Sequence, residues 1–177
     1  MKTVSRQLMK ETSLVKYYFL LFSLGLLTGC NDSNFTQKHS TADEVMNDFY
    51  EAKNRAEDML MDPLIVNSDI VKQRVIEEIK DKNMDKRRYA IGYLGNEKIN
   101  EALPMLTSIL EDENEIDYFR SDALESIYSI DKQSGLTMAK KYSDREDLLG
   151  RRAKSIFENT YRPFIRSYED AKNGVHY

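Results

Sequence analysis

A unit of about thirty residues recurs along the second half of this chain, and that recurrence constrains the fold more than any other feature. RRYAIGYLG around Ala90, FRSDALESIYSI around Ala123 and GRRAKSIFEN around Ala153 each set a small residue four positions before a large apolar one, Leu94, Ile127 or Phe157. A basic residue stands within three positions before each alanine: Arg87, Arg120 and Arg151. Between these segments lie INEALPMLTSILED and SGLTMAKKYSD, with SDIVKQRVIEEIKD as an earlier member, and the three end in or near Asp112, Asp144 and Asp81. The alanines are 33 and 30 residues apart, the aspartates 31 and 32. A helix pair of this length has an apolar face that it cannot bury alone, so neighbouring pairs stack and cover it. The expected fold is therefore all-α, a short solenoid of stacked antiparallel helix pairs in which the small alanines let helices approach closely. An irregular helical bundle is the alternative, kept open by the third unit, where Gly150 stands in place of the arginine.

The helical period begins at residue 41. Thr41-x-x-Glu44 is a capping box, and Val45, Phe49, Ala52, Ala56 and Met59 then recur at steps of four, three, four and three, predicting one helix that ends near Asp62-Pro63. Leu64-Ile65-Val66 reads as an apolar link. Asn67 or Ser68 caps the next helix, whose Val71, Val75 and Ile79 step by four. Ser143-x-x-Glu146 is a second capping box, placed to open the last long helix. A closing helix is expected over YRPFIRSYEDAKNGVHY, with Pro163 in its first turn, Gly174 as its stop, and Tyr161, Phe164, Ile165 and Tyr168 on one side. Seven glycines, three prolines and no tryptophan suit such a helical chain.

Arg87-x-x-Ala90, Arg120-x-x-Ala123, Leu94-Gly95 and Ala102-x-Pro104-x-Leu106 resemble the short HEAT-like repeats of bacterial proteins, including those of the phycobilisome-lyase type. The resemblance covers residues 68–159 and implies a right-handed stack of antiparallel helix pairs.

The N-terminal residues follow a different logic. Lys2, Arg6, Lys10 and Lys16, opposed only by Glu11, precede the apolar run YYFLLFSLGLL, Tyr17 to Leu27. Eleven residues fall well short of the roughly 20 that cross a bilayer, so the order reads as an export signal, starting at Met1 or Met9. Leu27-Thr28-Gly29-Cys30 then resembles the bacterial lipobox, which implies cleavage between Gly29 and Cys30 and lipidation of Cys30, the only cysteine in the chain. Several acyl chains anchor a protein stably where one does not. Asn31 in place of an aspartate points, by resemblance to enterobacterial lipoproteins, to the outer membrane facing the periplasm; in a Gram-positive host that inference lapses. Three parts are expected: a signal peptide over 1–29, a lipidated Cys30 with a polar tether to residue 40, and a repeat domain over 41–177.

Removing four basic residues and one acidic residue with the signal takes the net charge from −4 to −7. An acidic surface does not bind nucleic acid or anionic lipid through bulk charge. His39 and His176 are the only histidines and form no zinc-binding helical pair; no Gly-x-Ser-x-Gly elbow or phosphate-cradling glycine loop is present, so neither a catalytic residue, a metal nor a cofactor is expected. Five acids crowd EDENEID: Glu111, Asp112, Glu113, Glu115 and Asp117. This reads as a solvated turn, with an acidic patch for a basic partner as the sharper alternative. Glu101, Met105 and Lys140 on the second helices, and Tyr161, Phe164 and Tyr168 at the end, complete the partner-binding candidates.

A repeat surface without catalytic groups, held at the envelope, reads as a non-enzymatic protein-binding module. In type it resembles immunity lipoproteins that neutralise antibacterial effectors, for example a type VI secreted phospholipase, by occluding the active or membrane-docking face. A scaffold of an envelope complex is the alternative, and an unrecognised enzyme the third reading.

Overall fold

Local sequence signals set most helix starts. The Thr41 hydroxyl accepts the Glu44 amide while the Glu44 carboxylate accepts the Ser40 and Thr41 amides, so both halves of the capping box form. Pro63 and Pro104 sit in first turns, where a missing N–H costs nothing. Asp131, Asp147 and Ser167 cap the last three helices through their side chains.

The computed structural model describes residues 36–52 and 55–177. Among these, every regular element is a helix: α1 (Ala42–Glu51), α2 (Asp62–Val66), α3 (Ser68–Glu78), α4 (Arg87–Asn96), α5 (Leu103–Glu111), α6 (Asp117–Ile130), α7 (Lys132–Tyr142), α8 (Leu148–Phe157) and α9 (Tyr168–Asn173), with short 3-10 turns at Glu57–Met59 and Asn100–Ala102. The signal peptide, Gly29, Cys30 and tether residues 30–35 lie outside the described residues. No described helix is long and apolar enough to cross a membrane.

The recurring alanines lie where the repeat requires them. Ala90, Ala123 and Ala153 are fully buried, and α4, α6 and α8 pack side by side, with α5 against α6 and α7 against both α6 and α8. Gly95 brings α4 and α6 closer still, because a Cβ there would stand 2.7 Å from the Ser126 Cα. The Ser126 hydroxyl uses that approach to donate to the Ile91 carbonyl at 2.9 Å. This is an all-α helical repeat fold.

The repeat arginines close helix ends. Buried Arg87 donates through Nε to the Ile79 carbonyl at 2.8 Å, and buried Arg120 does the same to Leu110 at 2.9 Å. Each fills a carbonyl left open at the end of the preceding helix. Asp81 and Asp112, the recurring aspartates, each accept the amide two residues on, from Asn83 and Asn114, at 2.9 Å. The third unit departs for a physical reason: a Cβ at position 150 would lie 2.0 Å from the Arg145 carbonyl oxygen, so the incoming loop fills the space an arginine would need. Arg151 is exposed instead, Phe157 is half-exposed, and Ile156 takes the core position.

Several local expectations are corrected. The first helix stops at Glu51 rather than near Asp62-Pro63, because Lys86 Nζ reaches back to the Phe49 and Ala52 carbonyls at 2.6 and 3.1 Å and holds the helix end there. Asp62-Pro63 opens α2, and Leu64, Ile65 and Val66 are core residues packed among α1, α3, α4 and α9. The start of α3 has no side-chain cap, because buried Asn67 instead accepts the His39 amide at 2.7 Å and donates to the Gln37 and Pro63 carbonyls. Residues 36–40, expected in the tether, therefore lie against α2 and α3. The Ser143 capping box is unused, since α8 starts later, on Asp147.

The closing helix is corrected as well. Residues 160–167 form no regular element and only Tyr168–Asn173 is helical, ending as expected at Gly174 with φ 63°. Pro163 carries no N–H, and Asn96 clamps the Arg166 backbone on both sides, accepting its amide at 2.8 Å and donating to its carbonyl at 2.9 Å. The Arg166 side chain then forms a two-pronged, fully buried ion pair with Asp62. Burial pushes the Asp62 carboxyl up, opposed by the Arg166 hydrogen bond and charge. The C-terminal residues are thus a strap running back across the repeats to α2.

Candidate functional site

The strap borders a cleft of about 500 Å³ along α4 and α6. Its floor follows the repeat register. Tyr89 and Asp122 immediately precede the recurring alanines of α4 and α6, and Gly92 and Glu125 follow them by two, so the four share the face turned to the cleft. Glu57 and Asp58 close one side; Tyr161, Phe164, Ile165 and Tyr177 of the strap close the other. Phe164 and Tyr177 are 55% and 71% exposed and meet edge to face at 6.5 Å, which leaves an aromatic rim.

Three of the four cleft carboxylates are satisfied. Glu57 accepts from Arg88 Nη1 at 3.0 Å and from the Tyr89 hydroxyl at 3.2 Å. Glu125 accepts from the Tyr161 hydroxyl at 2.6 Å and pairs with Arg152. Asp58 takes the His176 ring and the Tyr177 amide at 2.9 and 3.2 Å. Asp122 differs: among the described residues its buried Oδ2 has no hydrogen-bond donor, and Arg88 Nε stands 3.7 Å away. Burial and then the Glu125 charge push this carboxyl up to about 7, against the pull of Arg88 and Arg152. Burial and Glu125 also push the Tyr161 hydroxyl up.

A carboxyl titrating near neutrality in a cleft has the character of a general acid or base. Two-carboxylate chemistry needs a second free group, however, and Glu125 is held by Tyr161 and Arg152. The arrangement is better suited to receiving a hydrogen-bond donor. Among the described residues, no cluster of three or more His, Cys, Asp or Glu groups could hold a metal.

The acidic turn is corrected. Glu115 is buried and accepts from Arg87 Nη1 at 2.8 Å, so it holds α4 to the turn and offers nothing to a partner. Glu111 pairs with Lys141 at 3.1 Å, Asp112 with Lys82 at 2.5 Å, and Asp117 with Arg120 and Arg145 at 3.4 and 3.5 Å. Four of the five acids thus carry internal cations, and among the described residues exposed Glu113 has no such pair. Glu101 is exposed but bridged to Lys72, Met105 is partly buried against the core, and Lys140 is exposed. None of these borders the cleft, whereas Tyr161 and Phe164 do; exposed Tyr168 lies outside its lining. Sequence reasoning missed Glu57, Arg88, Tyr89 and Asp122. The repeat marks the positions of Tyr89 and Asp122, immediately before the core alanines, but the contacts that set Glu57, Arg88 and the buried Asp122 apart come from other elements.

Fold and site together define a helical-repeat protein with a strap-bordered cleft. Comparison with protein-family models, curated proteins and solved structures gives no match.

Proposed function

We propose that the protein is a lipid-anchored, non-enzymatic protein-binding module at the periplasmic face of the cell envelope, and that its partner is an antibacterial effector which it neutralises, as an immunity lipoprotein. The observation that carries the binding reading is the cleft: an exposed aromatic rim beside a buried carboxyl without a donor, a combination of apolar area and polar specificity typical of recognition sites. Leu27-Thr28-Gly29-Cys30, directly behind a basic and then apolar segment, supports the anchor. Stationed there, a module of this size acts by covering an active site or a membrane-docking face. The test is to purify the lipidated protein from detergent-solubilised envelope and identify what accompanies it in near-equal amount. A single secreted toxin whose activity falls on adding the purified protein supports the immunity role. Several resident envelope proteins, with an envelope defect in the deletion strain, replace it with the scaffold reading.

A further inference from the structure

We infer that the cleft receives a lysine or arginine side chain from the protein partner, with Asp122 as the carboxylate that anchors its cationic head. The inference rests on the binding-module reading and gives that partner's contact its chemistry.

Among the described residues, Asp122 is the cleft carboxyl left with a buried oxygen that accepts no hydrogen bond. Arg88, which could pair with it, is drawn aside: Nη1 bonds Glu57 at 3.0 Å and the guanidinium lies 4.7 Å over the Tyr118 ring, leaving Nε 3.7 Å from Oδ2. A buried carboxylate oxygen without a donor is costly, and an incoming N–H with positive charge offsets the cost best. The surroundings favour a cation over a neutral donor. Glu57, Asp58, Asp122 and Glu125 face Arg88 and His176 within the lining, His176 being held by Asp58, and the two further guanidiniums nearby are already engaged, Arg152 by Glu125 and Arg166 by Asp62. The space also fits a long side chain. A cleft of about 500 Å³ holds an aliphatic stem as well as its head, and Tyr89, Tyr161 and Phe164 offer ring surface for the stem. Gly92 adds no side chain to the lining.

Binding of this kind favours ionised Asp122, so the partner's grip strengthens as the carboxyl loses its proton. The groups that set that titration are Glu125 on the same helix, Arg88 and Arg152 from the flanking helices, and burial.

The test uses the full chain, carbon-13 labelled and held in detergent micelles, with the Asp122 side-chain carboxyl signal followed by NMR. The probes are N-acetyl-lysine methylamide, N-acetyl-arginine methylamide and the neutral N-acetyl-norleucine methylamide. The charged probes are expected to shift the Asp122 signal saturably and lower its titration midpoint by about one unit or more, while norleucine does neither. Asp122→Asn is expected to abolish the charged-probe shifts at Tyr89 and Tyr161. Equal responses to norleucine, or an unmoved Asp122 midpoint with both charged probes, overturn the inference, and the wild-type comparison stands whether or not the variant folds. A natural partner that binds Asp122→Asn as tightly as wild type sinks the cation contact alone. Charged probes that bind where no partner co-purifies sink the binding-module reading alone.

Discussion

Asp122→Asn should change how stability depends on pH. The carboxyl titrates near 7 in the folded protein and near 3.8 when unperturbed, as expected in the unfolded chain. Below about pH 4 both states hold the proton; between pH 4 and 7 only the folded state does, so unfolding releases a proton and stability falls as pH rises. Above 7 neither state holds it, and the loss is complete. Each unit is worth about 1.4 kcal/mol, so wild type should lose on the order of 2.5 kcal/mol from this group between pH 5 and pH 8. With 15% of the side chain open to water, about 2 kcal/mol is the working figure. Asparagine does not titrate, and its own hydrogen-bond cost is the same at every pH. Urea unfolding of residues 31–177, followed by circular dichroism at both pH values, should therefore show the variant gaining about 2 kcal/mol on wild type between pH 5 and pH 8. Parallel pH profiles for the two proteins would refute both the burial of Asp122 without a hydrogen-bond donor and the raised titration.

Further substitutions separate structure from surface. Glu115→Ala leaves buried Arg87 without its carboxylate and should cost about 3–5 kcal/mol, whereas Glu113→Ala, two residues away, should stay within about 0.5 kcal/mol in the same urea assay. Arg166→Ala strands the buried Asp62 carboxylate and should cost about 3–5 kcal/mol, with faster amide exchange over residues 160–177 as the strap detaches. Gly95→Ala forces α4 from α6 and should lower stability by about 1–3 kcal/mol; Gly150→Arg, which restores the repeat pattern, should cost more rather than help. Cys30→Ser should move the protein from the membrane to the soluble fraction on ultracentrifugation; unchanged partition counts against the anchor.

What the sequence reveals and conceals divides by the distance over which each feature is determined. The Thr41 capping box, the buried alanines and the Asp81 and Asp112 turns depend on residues within four positions, and all are legible. The arginines of the first two units are also legible, because their carbonyl partners lie eight and ten residues back in the repeat. The end of α1 is set by Lys86, 34 residues beyond Ala52, and no local pattern marks it. The strap depends on Asn96 and Asp62, 70 and 104 residues from Arg166, so an amphipathic tail reads as a helix until those clamps are seen. EDENEID reads as wet because its composition is local, while Glu115 finds Arg87 28 residues earlier. Asp122 hides for the opposite reason. A lone acid on a helix face is ordinary, and only the neighbouring helices and strap leave it buried and without a hydrogen-bond donor.

The central claim is that the partner docks at the strap-bordered cleft rather than on the acidic turn or the second helices. It is tested most directly by photo-crosslinking in living cells from benzoylphenylalanine placed at Phe164, with Glu113 and Lys140 as comparison sites. One discrete adduct from Phe164, lost in Asp122→Asn and absent from the other two sites, is the predicted result. Adducts from Glu113 or Lys140 with none from Phe164 would contradict it.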